Sequence, residues 1–155
     1  MTDDVTRERI AWSEAEADAH ERRREALHRA VAELEGELDA LADQSALDTD
    51  RFRAAIQRMV VAVGEHIDEV ESPDGLLAQV IEVAPWFGAR VEQLRSEHGE
   101  LLARGNALLE QVDADGEAAA LLAGARELAA RVSDHRHTGT ALLVDTYLLD
   151  IPQSD

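Results

Sequence analysis

The sequence predicts an all-α fold, an antiparallel up-down-up-down four-helix bundle forming one domain over residues 1–155, with residues 1–12 as a loose acidic arm. Three observations predict it. Apolar residues recur at helical spacing along nearly the whole chain, and no stretch alternates as a strand does. The breaks between periodic stretches are too short to return the chain to a parallel neighbour. Apolar residues make up 45% of the chain but aromatic ones only 3%, so the core is built from Leu, Val and Ala, which suits close-packed helices.

The first helix is expected from about Ser13 to Asp43, with Leu27, Val31, Leu34, Leu38 and Leu41 spaced 4, 3, 4, 3 along one face. The polar stretch "DQSALDTD" follows, where Asp48, Thr49 or Asp50 can cap a second helix. That helix carries Phe52, Ile56, Met59, Val63, His66 and Val70 on its stripe. It stops at "ESPDG", because proline and glycine break the ladder there. A short helical turn, "LLAQVIEV", leads to Pro85, well placed in the first turn of a third long helix that runs to about Val112. After the break at "DADG", a fourth helix is expected from about Glu117 to Leu149, with Pro152 ending it. Its stripe holds Leu128, Val132, His135, Gly139, Leu142, Thr146 and Leu149.

Charge and composition exclude several classes of function. Acidic residues outnumber basic ones 33 to 15, giving a net charge of -18 that repels nucleic acid and anionic lipid. No cysteine is present, so disulfides, zinc-thiolate sites and cysteine nucleophiles are excluded. There is no glycine-rich phosphate loop and no nucleophile elbow. The start, "MTDDVTRERI", lacks the apolar segment of a secretory signal, and no apolar run approaches the length of a membrane span. The expectation is a cytoplasmic protein.

The histidines carry the functional information. His66 and His135 stand on the apolar stripes of the second and fourth helices. His98 stands on that of the third, in register with Val91, Leu94, Leu101, Gly105 and Leu108. His28 follows Leu27 and is expected at the edge of the buried stripe of the first. At 1.5 Å of rise per residue, all four fall within about one turn of a common level. A buried imidazole requires partners for both ring nitrogens, and convergence on a metal ion supplies four of them at once. Imidazole suits Fe, Zn, Cu or Ni. His20 lies in the polar "EADAHERRR" stretch, and His137 points about 200° from His135, so both are read as solvated.

Carboxylates able to join this layer are few. Residues three and four positions apart share a helix face, so after His66 the candidates are Glu69 and Val70, of which only Glu69 is a donor. Glu71 is set about 140° away, near the helix end. Glu25 forms an E-x-x-H pair with His28, and a solvated surface charge is the favoured reading of it. After His135 the same positions are Thr138 and Gly139.

These residues resemble the haemerythrin-like, or HHE cation-binding, family. The resemblance runs from about Leu27 to Ile151 and rests on "LHRAVAELEGEL", "HIDEVES", "APWFGARVEQLRSEHGELL" and "HRHTGTALLVDTYLLDI". It implies a four-helix bundle holding non-haem iron, as a di-iron centre bound by histidines and two bridging carboxylates. Family members carry or sense oxygen, or act in iron and nitrosative or oxidative stress. Carried over residue by residue, it makes His28, His66, His98 and His135 metal ligands, with O2 or NO as exogenous partners. The family's H-x-x-x-E spacing falls on Val70 and Gly139, which are not carboxylates, and leaves Glu69 as the one substitute. The expectation is therefore an altered site, with one iron ion, two or none, serving sensing or stress rather than catalysis. A metal-free bundle that binds a protein partner and a di-iron oxidase or peroxidase are the alternatives.

Overall fold

The computed structural model describes residues 18, 22 and 25–148, and no strand occurs among them. Helix α1 spans 25–42, α2 Thr49–Val70, α3 Leu76–Val83, α4 Gly88–Asp113 and α5 Ala118–Leu148. The arm at residues 1–12, the expected start at Ser13, His20 and the stop at Pro152 lie outside the described residues.

The helix ends follow from local chemistry. Asp48 caps α2, its side chain accepting a hydrogen bond from the Arg51 backbone N–H at 3.1 Å. At the other end, Glu71 is the C-cap residue and donates its N–H to the Ile67 carbonyl at 2.9 Å. The chain then folds back so tightly that a Cβ on Gly75 would lie 2.5 Å from the Glu69 carbonyl oxygen. Only glycine permits that approach. Pro85 does not start the long helix directly. It opens a separate 3-10 turn, Pro85–Phe87, that feeds into α4. After α4 the chain reverses through Asp115, whose φ of 56° is left-handed, a conformation that Asp tolerates.

Helix α4 packs against both α2 and α5. The α2–α4 approach is close enough that a Cβ on Gly105 would meet Val60 Cγ2 at 2.5 Å. Among the described residues, two apolar clusters fill the interior. The larger takes Leu27, Val31, Leu34, Leu38 and Leu41 from α1, together with Phe52 to Val63 of α2, Leu101 to Val112 of α4 and Leu121 to Val132 of α5. The smaller joins Val70, Leu76, Leu77, Val80, Val91, Leu94, Leu142 and Leu143. Each fully buried Leu or Val contributes about 1.5–3 kcal/mol, so these clusters dominate the stability. Exposed ion pairs such as Arg126–Asp39 at 2.9 Å and Arg90–Asp145 at 2.8 Å add little by comparison. Among the described residues, no helix is long and apolar enough to cross a membrane.

Candidate metal centre

Between the two apolar clusters lies a polar layer. On α2, His66 stands between Val63 of the larger cluster and Val70 of the smaller. On α4, His98 stands between Leu101 and Leu94 in the same way, and on α5 His135 lies between Val132 and Leu142. The stripe spacing that buries the leucines therefore also turns the three imidazoles inward. His98 and His135 are each 3% exposed, and His66 is partly buried.

The three rings meet edge to face. Their centroids are 5.5 Å apart for His66–His98, 5.5 Å for His66–His135 and 4.7 Å for His98–His135. One ring nitrogen from each lies within 4.8 Å of the others. A tetrahedral ion with metal–nitrogen distances of about 2.0 Å requires its donors about 3.3 Å apart. Closing the set from 4.8 Å is a contraction of about 1.5 Å at most. Nδ1 of His66 is buried with no hydrogen-bond partner among the described residues. Such an orphan carries a desolvation cost that a bound cation would remove.

Two carboxylates face the outer side of the layer. His135 Nδ1 lies 3.4 Å from Glu97 Oε1. His98 Nδ1 lies 3.4 Å from Glu71 Oε1, but off the line a hydrogen bond requires. Glu71 is also 3.9 Å from Arg95 Nε. Burial is the main cause that lowers the pKa of His66 to about 3, with the neighbouring His135 and His98 acting in the same direction. Burial likewise lowers His98 to about 4, aided by His135 and Arg95. It lowers His135 too, against the opposing pull of Glu97. All three imidazoles are therefore neutral at pH 7, the form in which histidine binds metal.

The expected layer differs from this one in two of its members. His28 is exposed and does not belong to the group, because Leu27 and Val31 take the inward positions of α1 and leave the next residue about 100° outside. Glu69 is also exposed, on the flank of α2, and stands outside the group of three. His137 is exposed, as its position two residues after His135 requires. Sequence reasoning set Glu71 aside and missed Glu97. Neither stands three or four residues along the helix of its histidine: both carboxylates reach a histidine on another segment. The signal was there in Glu97 standing next to His98: a side chain flanking one ligand can face the ligand of the adjacent helix.

The positions where the resemblance puts bridging carboxylates offer none. Val70 is 5% exposed within the smaller cluster, and Gly139 has no side chain, with nothing within 4 Å of where a Cβ would be. With His28 outside as well, the described residues do not fit a di-iron centre. Compared with known proteins, the chain matches no family model, no curated protein and no solved structure.

Proposed function

We propose that this chain is a haemerythrin-like metal-binding protein, an up-down-up-down bundle whose metal is held by His66, His98 and His135, and that it serves sensing or stress response rather than catalysis. The observation that carries this reading is the convergence of three imidazoles from three helices on one interior point, with nitrogens within 4.8 Å. The antiparallel arrangement is supported by the order of residues in the two clusters. Chain direction runs from the larger to the smaller in α2 and α5, and from the smaller to the larger in α4. Iron(II) is the ion the resemblance favours, and three imidazoles are competent ligands for it. Three protein donors leave coordination positions open, where O2 or NO could bind.

Elemental analysis and a visible spectrum of the purified chain test this. Bound metal is expected in the wild type, to fall sharply in His66→Ala and His98→Ala, and to persist in His28→Ala and His137→Ala. A wild type that binds no transition metal overturns the reading. A second reading, a metal-free bundle that docks a protein, is favoured by one observation: Trp86 is 65% exposed, beside Ile81 and Val83 at 36% and 39%. It predicts that all four variants behave like a wild type without metal.

A further inference from the structure

We infer that the layer takes one divalent transition-metal ion, not two, and that Glu71 and Glu97 supply its compensating charge through the imidazoles they face. This rests on the metal-binding reading above and specifies the number and class of ions. A coordinating imidazole is neutral, so three of them bring a divalent ion into the interior with its full charge uncompensated. An isolated buried charge is costly, and proteins meet that cost with opposite charge and hydrogen bonds.

Glu97 and Glu71 stand where they meet it. Each presents Oε1 at 3.4 Å from the Nδ1 of His135 and His98 respectively, and neither carboxylate is fully exposed, with side chains 22% and 29% accessible. At His135 the contact with Glu97 occupies Nδ1 and leaves Nε2 as the donor for the ion, whereas at His98 the same nitrogen faces Glu71 without hydrogen-bond alignment. Binding through one ring nitrogen strengthens the other N–H as a donor, so the carboxylate both orients the ring and takes up part of the ion's charge. One divalent ion and two carboxylates sum to zero, and the Arg95 guanidinium shared by Glu71 already tips the balance positive. A second divalent ion would add a further charge of +2 to the core, and Val70 and Gly139 offer nothing to offset it.

The donor set also selects the ion class. Three nitrogens suit Fe(II), Co(II), Ni(II), Cu(II) or Zn(II), whereas Mg(II) and Ca(II) require oxygen ligands. The two carboxylates are not equivalent. Glu71 is shared with Arg95, whose guanidinium offsets part of its charge, while Glu97 makes its ion pair with His135 alone among the described residues. Glu97 is thus the stronger positioning residue.

The test is a Co(II) titration of the full chain after chelator treatment, followed by visible absorption and by metal analysis. One Co(II) per chain is expected, unaffected by millimolar Mg(II). Glu97→Gln should weaken Co(II) affinity by about 10- to 100-fold, and Glu71→Gln by less, with the ligand-field bands at saturation unchanged because the three imidazoles still bind. The metal-free melting temperatures of both variants, which keep side-chain shape, should not fall. His66→Leu should abolish the bands. Two Co(II) per chain, displacement by Mg(II), or Gln variants that bind as the wild type does would each overturn this inference while leaving metal binding intact. No Co(II) bound to the wild type overturns the metal-binding reading and this inference with it.

Discussion

Acidifying the metal-free protein from pH 7 to pH 5 should destabilise it through its buried histidines, and replacing His98 by Leu should remove a definable part of that loss. Burial lowers His98 to about 4, against about 6.5 in an unfolded chain. Because the folded-state value is the lower one, protons bind the unfolded chain preferentially. The contribution of neutral His98 is present in full above about pH 6.5 and is lost progressively below it, until the folded protein also protonates near pH 4. Between pH 7 and pH 5 the unfolded chain takes up nearly one proton at this residue and the folded chain very little, which costs about 2 kcal/mol. His66, lowered to about 3, adds a similar amount, about 4 kcal/mol for the pair. For a domain of this size that corresponds to a fall in Tm of roughly 8–16 °C. Relief of repulsion among the acidic residues acts the other way, so the comparison between variant and wild type is the informative quantity. The assay is thermal unfolding by circular dichroism at pH 7, 6 and 5 in the presence of chelator. His98→Leu should decline by about 2 kcal/mol less than the wild type across this range. Parallel declines would refute the placement of His98 in the interior.

Two glycines on the helices should respond oppositely to alanine. Gly139→Ala meets open space and should stabilise by about 1 kcal/mol, whereas Gly105→Ala forces a methyl against Val60 and should destabilise by about 1–3 kcal/mol; urea unfolding measures both. Asp48→Ala removes the side-chain acceptor at the start of α2 and should cost about 1 kcal/mol in the same assay, with the melting profile otherwise unchanged.

Helix breaks were legible in the sequence because they are written in local chemistry. Asp48 caps, Gly75 alone fits its turn, and the stretch around Asp115 and Gly116 reverses the chain. The inward turn of His66, His98 and His135 was legible for a related reason: each occupies a position that helical periodicity reserves for a leucine or valine. His28 was harder to place, since one residue of offset on a helix is about 100°, enough to move a side chain from the edge of a stripe into solvent. Glu71 and Glu97 do not lie three or four residues along a helix from the histidines they face, although Glu97 stands next to His98. Their contacts with His98 and His135 depend on how α4 meets the end of α2 and the middle of α5, and that is set by packing across helices, including the close approach at Gly105.

The separation of the interior into two apolar clusters by a band of imidazoles bears on how the molecule comes apart. Cooperative unfolding is transmitted by continuous packing, and here continuity across the band depends on three side chains that are poor adhesives when neutral and repel one another when protonated. The end of the molecule holding α3, with Val91, Leu94, Leu142 and Leu143, is therefore expected to open locally as a unit. Its amides should exchange hydrogen sooner than those beside Phe52, Ile56 and Leu128. An ion on His66, His98 and His135 would rivet three helices at the weak seam, bridging chain positions 66 to 135 much as a covalent cross-link does. Its presence would be read not only at the metal but in the exchange rates of amides on the far side of the band.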